Sequence, residues 1–340
     1  MSAVGVRWVL GLALATLVAT TGVVSQTPQK QPTSVDKADP AAVAIARGVA
    51  FLRVEVPRWR KEHPCYSCHI NGDATRALLV AGARGHDIGD ALDDTLAFLK
   101  EPSRWDQNKA PVGLDDKALA RLQFASALAV AERHGRAAST ELAKAATLLV
   151  ADQTADGSWT LDSSQSLGSP ATYGTIIATW SARSTLIAAG KQPDDFSVVQ
   201  ADRWLRGLTV ENVLDASALI LGLDLSSDVM AENLRRTCLS ILRTGQAPSG
   251  GWGPFVTASP QVFDTAMAVL ALGTLDAEPR LARSTYRPDE LKDAIAKGRA
   301  YLVSQQRPDG SWPETTRPAG QESYAERIST TGWAMLALLR

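Results

Sequence analysis

Two stretches of the sequence share one pattern: residues 144–159 read KAATLLVADQTADGSW, and residues 297–312 read KGRAYLVSQQRPDGSW. Residues 246–252, QAPSGGW, keep only the glutamine, glycine and tryptophan of this pattern. A glutamine can hydrogen-bond to loop backbone, a glycine accepts the positive φ of a tight turn, and a tryptophan can cover a helix end. The pattern therefore predicts three copies of a unit in which a helix is followed by a fixed turn.

The same unit recurs in weaker form along most of the chain. Six amphipathic segments carry an aromatic or aliphatic residue followed by leucine near their ends: Phe51-Leu52, Phe98-Leu99, Leu148-Leu149, Trp204-Leu205, Ile241-Leu242 and Tyr301-Leu302. Each is followed by a loop and by a second helical segment rich in Ala, Leu and Thr, and these are 73–83, 116–135, 172–190, 212–223, 262–275 and 328–340. The first helix of each pair has a charged face, whereas the second is apolar nearly all round, which predicts an outer and an inner layer. A period of about 50 residues indicates a solenoid or a closed ring of helix pairs.

The glutamine–tryptophan pattern resembles the QW repeat of the squalene–hopene cyclase and protein prenyltransferase superfamily, and the resemblance covers residues 41–340. It implies an all-α (α/α)6 toroid in which the motif clamps outer helices and does no chemistry. The prenyltransferases of the superfamily hold zinc with Asp, Cys and His on late repeats. The corresponding residues here, 249–265, contain neither Cys nor His, so the resemblance does not extend to that zinc site.

The cyclases of this superfamily protonate their substrate with an aspartate of a D-x-D-D motif. The nearest match is Gly113-Leu114-Asp115-Asp116, in which a glycine replaces the first aspartate. Asp115 is therefore the candidate acid, and Asp93, Asp94 and Asp264 are weaker candidates. An aspartate just before or at the start of an inner helix is more simply explained as a helix cap or a first-turn acid that favours the helix dipole.

Residues 65–69 read CYSCH, a C-x-x-C-H motif within a loop that we predict over residues 56–73. In c-type haem proteins the two thiols of this motif form thioethers with one porphyrin, and the histidine ligates the iron. We therefore expect one covalent haem c, attached through Cys65 and Cys68, with His69 as the proximal ligand.

Two alternatives for the motif remain open. The cysteines could form a short, labile disulfide, or they could join His63 and His69 in a zinc site. The sixth haem ligand is not evident from the sequence. Met267 and Met335 are candidates because ring closure would bring their helices near the first repeat, but both are also ordinary core residues. An open sixth position is a further alternative.

The N-terminus predicts export. Residues 1–25 contain Arg7, an apolar run over 8–19 and small residues near a cleavage site, as in a secretory signal peptide; a retained membrane anchor is the alternative. Residues 26–40 are polar and predict a flexible linker. Covalent haem is attached outside the cytoplasm, which agrees with a periplasmic or secreted location. No later stretch has the length and apolarity of a membrane span.

Composition narrows the remaining function classes. Lys and Arg total 35 and Asp and Glu total 36, so the net charge of -1 gives no reason to expect nucleic-acid binding. Three cysteines are too few for a disulfide scaffold. Our first hypothesis is an exported, monomeric haem protein with a redox or electron-transfer role and an unknown redox partner. The alternatives are a terpenoid-cyclase-like enzyme with Asp115 as its acid, or a non-catalytic binding scaffold.

Overall fold

The structure is a computed structural model, and it describes residues 39–109, 116–161, 167–223, 228–317, 320 and 323–340. The outer helices of the described residues are α1 Pro40–Glu62, α3 Asp93–Leu99, α5 Ser139–Asp152, α7 Phe196–Arg206, α9 Val229–Gly245 and α11 Pro288–Ser304. The inner helices are α2 Thr75–Ala83, α4 Lys117–Arg133, α6 Gly174–Ala188, α8 Val213–Gly222, α10 Val262–Asp276 and α12 Tyr324–Leu338. A π-helical segment, Cys68–Ala74, leads directly into α2, and two short 3-10 helices cover Pro102–Gln107 and Pro279–Leu281.

The helix pairs form a closed ring of two layers. Each inner helix packs against the next one along the chain, and α12 returns to pack against the π-helical segment, α2 and α1. The inner helices are buried on nearly all sides, because small residues let their backbones approach closely. The six helix pairs predicted from the repeats, and the (α/α)6 toroid that the family resemblance implies, are therefore confirmed.

The glutamine–tryptophan motif fastens three of the outer helices, α5, α9 and α11, to the outer helix that follows each of them in the ring. Gln306 donates from Nε2 to the carbonyl of Gly310 at 3.0 Å and to that of Ala44 in α1 at 2.8 Å. Trp312 donates from Nε1 to the carbonyl of Leu302 at 2.6 Å. The other two copies repeat these bonds, from Gln153 to Gly157 and Ser197, from Trp159 to Leu149, from Gln246 to Gly250 and Ala294, and from Trp252 to Leu242. Because α1 is the first outer helix, the Gln306 bond joins the end of the ring to its beginning.

The predicted loop over residues 56–73 is mostly helical, so that part of the sequence prediction is wrong. The helix α1 continues past Pro57 to Glu62, because Leu52 and Val56 still bury an apolar stripe against the inner layer. Packing of that stripe outweighs the hydrogen bond that the proline removes. The second half of the C-x-x-C-H motif also lies in helical structure, at the start of Cys68–Ala74.

The predicted signal peptide and most of the predicted linker lie outside the described residues. The helix α1 begins at Pro40, whose fixed φ suits the first turn, and the side chain of Asp39 caps it by accepting from the Ala41 N–H at 3.1 Å. Among the helices that the structure describes, none is both long enough and apolar enough to span a bilayer.

Two glycines with the same backbone conformation test the contribution of ring closure to stability. Gly310 has a φ of 92°, and a Cβ there would lie 2.4 Å from the carbonyl oxygen of Arg47 in α1. Gly190 has a φ of 91° with no heavy atom within 4 Å of that position. Gly190→Ala should cost about 1–2 kcal/mol for its positive φ alone. Gly310→Ala should cost about 2 kcal/mol more in urea unfolding, because α1 must move. Equal costs would show that this contact does not hold the ring.

Candidate functional site

The first inner helix begins with an unusual turn. The segment Cys68–Ala74 is π-helical, a winding that is rare and often found at functional sites. Its start is fixed by Asn71, whose Oδ1 accepts from the N–H of Ser67 at 2.8 Å and whose Nδ2 donates to Thr95 Oγ1 at 2.8 Å. The side chain of Ser67 also caps the segment by accepting from the Ile70 N–H at 3.4 Å. These bonds hold the C-x-x-C-H residues in a defined place.

The two cysteines and the histidine of the motif lie at this turn. Cys65 is buried, with its carbonyl accepting from Trp59 Nε1 at 3.1 Å, and Cys68 and His69 are half-buried. The Sγ of Cys68 lies 3.2 Å from Nδ1 of His69. The other imidazole nitrogen, Nε2, is buried and has no hydrogen-bond partner among the described residues.

Burial sets the protonation states of these groups. It raises the pKa of Cys68 to about 12 and also raises the pKa of Cys65. Burial lowers the pKa of His69, although the Asp73 carboxylate and the backbone of Ala171 act in the opposite direction. At neutral pH the thiols are therefore protonated and the imidazole is neutral, the form in which a histidine binds a metal.

The positions of these side chains distinguish among the three possibilities considered for the motif: a disulfide, a zinc site and a covalent haem. All the cysteines are free thiols, so the Cys65–Cys68 disulfide is not formed. No three His, Cys, Asp or Glu side chains of the described residues converge as metal ligands. His63 instead stacks on Trp59 with ring centroids 3.7 Å apart, and its Nδ1 donates to the Trp59 carbonyl at 3.1 Å. Two unbridged thiols and a neutral imidazole with an unpartnered Nε2 fit the donor set of a covalent haem.

A buried carboxylate lies next to this motif. Both oxygens of Asp73 are occupied: Oδ1 accepts from the Tyr173 hydroxyl at 2.5 Å and from Arg76 Nη2 at 2.8 Å. Oδ2 accepts from the Ser329 hydroxyl at 2.5 Å and from Gln123 Nε2 at 3.4 Å. Sequence reasoning missed this cluster, because its members come from four different repeats and share no spacing.

Aromatic side chains surround the cluster in the inner layer. The guanidinium of Arg76 lies over the ring of Trp333, 4.4 Å from its centroid. The same indole contacts Phe263 and Tyr173 edge to face, with centroids 5.4 and 5.9 Å away, and Trp180 at 6.4 Å. The low aromatic content of the chain gave no sign that four rings would meet here.

The candidate aspartates have different surroundings. Asp115 lies outside the described residues. Asp116 is the N-cap of α4, with Oδ1 accepting from the Leu119 N–H at 2.9 Å, as a capping role predicts. Asp93 is largely exposed in the first turn of α3, and Asp94 in the same turn accepts from the Tyr66 hydroxyl at 3.1 Å. None of these three described carboxylates is a buried acid.

Asp264 differs from the other candidates because it is fully buried. It lies in the first turn of α10, pairs with the guanidinium of Arg317 through Oδ2, and leaves Oδ1 without a partner. Burial raises its pKa from 3.8 to about 6, against the opposing effect of Arg317. Arg317 is itself held by Gln261 Oε1 at 3.1 Å and by the carbonyl of Gly168.

The two methionine candidates for the sixth haem position are fully buried. Met335 packs against α1: a Cβ added at Gly48 would lie 2.7 Å from its sulfur and 3.1 Å from Trp312. That sulfur therefore lies between the inner and outer layers. Met267 is buried within α10, and Cys238 is a buried thiol of α9, as expected for a packing residue.

Comparison with known proteins identifies the fold. No family model matches the chain. The terpene cyclase/mutase ntnI of Nectria sp is 32% identical over 112 residues, which are 32% of this chain and only 14% of that relative's length. A solved type II terpene cyclase, MstE from Scytonema, covers 88% of this chain and 96% of its own at 14% identity, with a TM-score of 0.58. The protein has a terpene-cyclase-like toroid fold.

Other toroids share this architecture. A protein from Actinoplanes covers 88% of this chain and 98% of its own at 16% identity, with a TM-score of 0.57. A possible GH105 family member from Salmonella enterica serovar Paratyphi A covers 94% and 98% at 12% identity, with a TM-score of 0.54. Proteins with a GH105 family name and with a terpene cyclase name share this fold, so the toroid alone does not determine the reaction.

The buried pair at Asp264 gives the protein a defined pH dependence. A folded-state pKa near 6 and an ordinary value of 3.8 mean that the folded chain binds more protons between these pH values. The stabilising contribution of Asp264 is therefore complete below about pH 4 and is lost as the pH rises through about 6. We expect the free energy of unfolding of the wild type to fall relative to Asp264→Asn over this range, measured by urea unfolding. A constant difference between the two proteins would contradict the raised pKa.

Proposed function

We propose that the protein is an exported c-type haem protein built on a terpene-cyclase-like toroid. One observation carries the proposal: residues 65–69 supply two free thiols and a neutral imidazole whose Nε2 is buried and unpartnered. An unpartnered buried nitrogen is uncommon in a native interior and needs an explanation. A metal ligand for Nε2 provides one.

The residues have separate tasks in this proposal. Cys65 and Cys68 would attach the group through thioethers, and His69 would ligate the iron through Nε2. A bound haem supplies one-electron redox chemistry. The chain contributes by keeping His69 neutral through burial and by holding the π-helical turn in place through Asn71 and Asp73.

The remaining parts of the proposal concern location and partners. The chain would be exported to the periplasm or secreted, where haem is attached to such motifs, and would exchange electrons with an unknown redox partner. Met267 and Met335 stay candidates for the sixth ligand, with an open position as the alternative. Met335 would have to leave its place against Gly48 and Trp312 to serve.

Covalent attachment can be tested directly. The full-length chain, expressed with a haem-maturation system, should yield a pyridine haemochrome and stay coloured in a denaturing gel. Cys65→Ala with Cys68→Ala should abolish covalent haem, whereas Cys238→Ala removes a thiol of α9 and should leave the haem content unchanged. A folded, colourless wild-type protein from such a host would overturn the proposal. Spectra of the oxidised and reduced forms would identify methionine, histidine or open sixth coordination.

A second candidate is a terpenoid-cyclase-like enzyme, and the comparisons favour this class over the haem hypothesis. One observation on the described residues supports it: Asp264 is buried, has an unpartnered Oδ1, and follows Phe263, which packs on Trp333. Its pKa of about 6 keeps about a tenth of the carboxyl protonated at pH 7 and more at lower pH. A protonated buried carboxyl could start a cyclisation by protonating an alkene. Asp115 remains the alternative acid.

This second candidate is tested with geranylgeranyl dihydroxybenzoate, the substrate named for the MstE structure. If the chain is a cyclase of this kind, the wild type converts the probe to an isomer of equal mass, detected by gas or liquid chromatography with mass spectrometry. Asp264→Asn or Asp115→Asn should then reduce the rate by about 10²-fold or more, and the loss identifies the acid. Asp116→Asn is the control, because an asparagine also caps a helix. A wild type that leaves the probe unchanged removes support for this candidate.

A further inference from the structure

Asp73 and His69 belong to the same π-helical segment, Cys68–Ala74. Residues four positions apart in a helical turn lie on one face, so the carboxylate and the imidazole are neighbours. Burial raises the pKa of Cys68 and lowers that of His69, and the Asp73 charge acts on both groups, favouring a higher pKa in each. Any rotation of this turn would move the two side chains together.

Asp73 is fixed from three other parts of the ring. Its four donors are Arg76 on α2, which directly continues the π-helical segment, Gln123 on α4, Ser329 on α12 and Tyr173 just before α6. The side chain is fully buried, and a buried carboxylate is costly unless its oxygens are satisfied. A rotation of the turn would break several of these bonds at once, so the carboxylate anchors the turn.

The Tyr173 donor is held in a strained conformation. It is the one residue other than glycine with a positive φ, 58°, among the described residues, and it is completely buried. The loop before it is pinned: Gln123 donates to the carbonyl of Pro170 at 3.1 Å, and a Cβ at Gly168 would lie 2.0 Å from the Tyr173 carbonyl oxygen. Such strain persists only where the surroundings enforce it, and here it directs the hydroxyl to Asp73.

We infer that Asp73 is the positioning residue of His69: its four-donor anchor locks the π-helical turn so that the imidazole keeps one orientation, with Nε2 buried and unpartnered. The inference rests on the proposed function, because only that function makes Nε2 a metal ligand. The orientation of the imidazole itself does not require bound haem. Asp73 touches no reacting atom in this view and acts only through His69.

The orientation can be followed by NMR of the imidazole nitrogens. The chain has four histidines, so His69→Gln is sufficient to assign the His69 signals in full-length protein labelled with 15N at histidine. We expect a single His69 tautomer in the wild type and a mixture, or the other tautomer, in Asp73→Asn. Asp215→Asn is the matched control, since it alters an aspartate of another inner helix, α8, and should leave His69 unchanged. A change of the same size in both variants would overturn the inference.

Milder variants keep the test decisive if Asp73→Asn does not fold. Tyr173→Phe and Ser329→Ala each remove one donor from the carboxylate while preserving the size of the side chain or the packing around it. Both should broaden or shift the His69 signals, and both proteins are checked for folding by thermal unfolding. Unchanged His69 signals in two folded variants would show that Asp73 does not position the imidazole.

The haem-loaded protein provides a separate readout. Loss of the Asp73 negative charge should raise the reduction potential in Asp73→Asn more than in Asp215→Asn, because the nearby carboxylate favours the more positive oxidised site. A protein that never binds haem but shows the expected NMR changes would refute the proposed function and support the inference. A protein that binds haem, but whose reduction potential and His69 signals do not change in Asp73→Asn, would support the proposed function and refute the inference.

Discussion

The toroid depends on a side-chain amide that spans from one repeat to the next. In each complete motif the glutamine donates both to its own turn and to the first part of the following outer helix, so a single residue fixes the turn and the neighbour together. For Gln306 the neighbour is α1, more than 260 residues earlier in sequence. The local bond that builds a solenoid thus also closes the ring, and closure removes the exposed ends that an open array would have to cap.

The fold could be predicted because its signals are local and repeated. Spacing of glutamine, glycine and tryptophan predicts the clamp, and helical periodicity predicts the two layers, since each depends on residues close in sequence. The prediction of a loop over residues 56–73 is wrong because it used only the local sequence. The burial of Val56 keeps α1 helical through Pro57, and that burial depends on residues far along the chain.

The candidate site was predictable only in part. The C-x-x-C-H motif could be found because thioether attachment demands a fixed spacing, and its geometry here leaves the His69 Nε2 free. The set of donors that holds the Asp73 carboxylate could not be predicted from the sequence. Asp73, Gln123, Tyr173 and Ser329 are separated by dozens of residues, and each belongs to an ordinary helix or loop. Only the tertiary structure shows that four donors meet on one carboxylate.

Two buried aspartates show how differently one residue type behaves in this core. Asp73 has donors on both oxygens, which offset the cost of burying its charge. Asp264 has donors on one oxygen only, and burial moves its pKa to about 6. The first is thereby suited to hold a structure in place and the second to exchange a proton. Of the two aspartates, Asp264 is therefore the candidate for acid–base chemistry. Asp73 is the one whose charge influences the C-x-x-C-H motif.

The placement of the motif in the first repeat has a structural consequence. Asp73 and Arg76 come from repeat one, Gln123 from repeat two and Tyr173 from the start of the inner helix of repeat three, whereas Ser329 and Trp333 come from repeat six. The first and last repeats meet only when the ring closes, so the anchor of His69 is complete only in the closed toroid. In an open solenoid each repeat would keep its own site regardless of distant repeats. Here a change that loosens the Gln306 clamp weakens contacts at the C-x-x-C-H turn as well, which couples the integrity of the whole ring to the orientation of one imidazole.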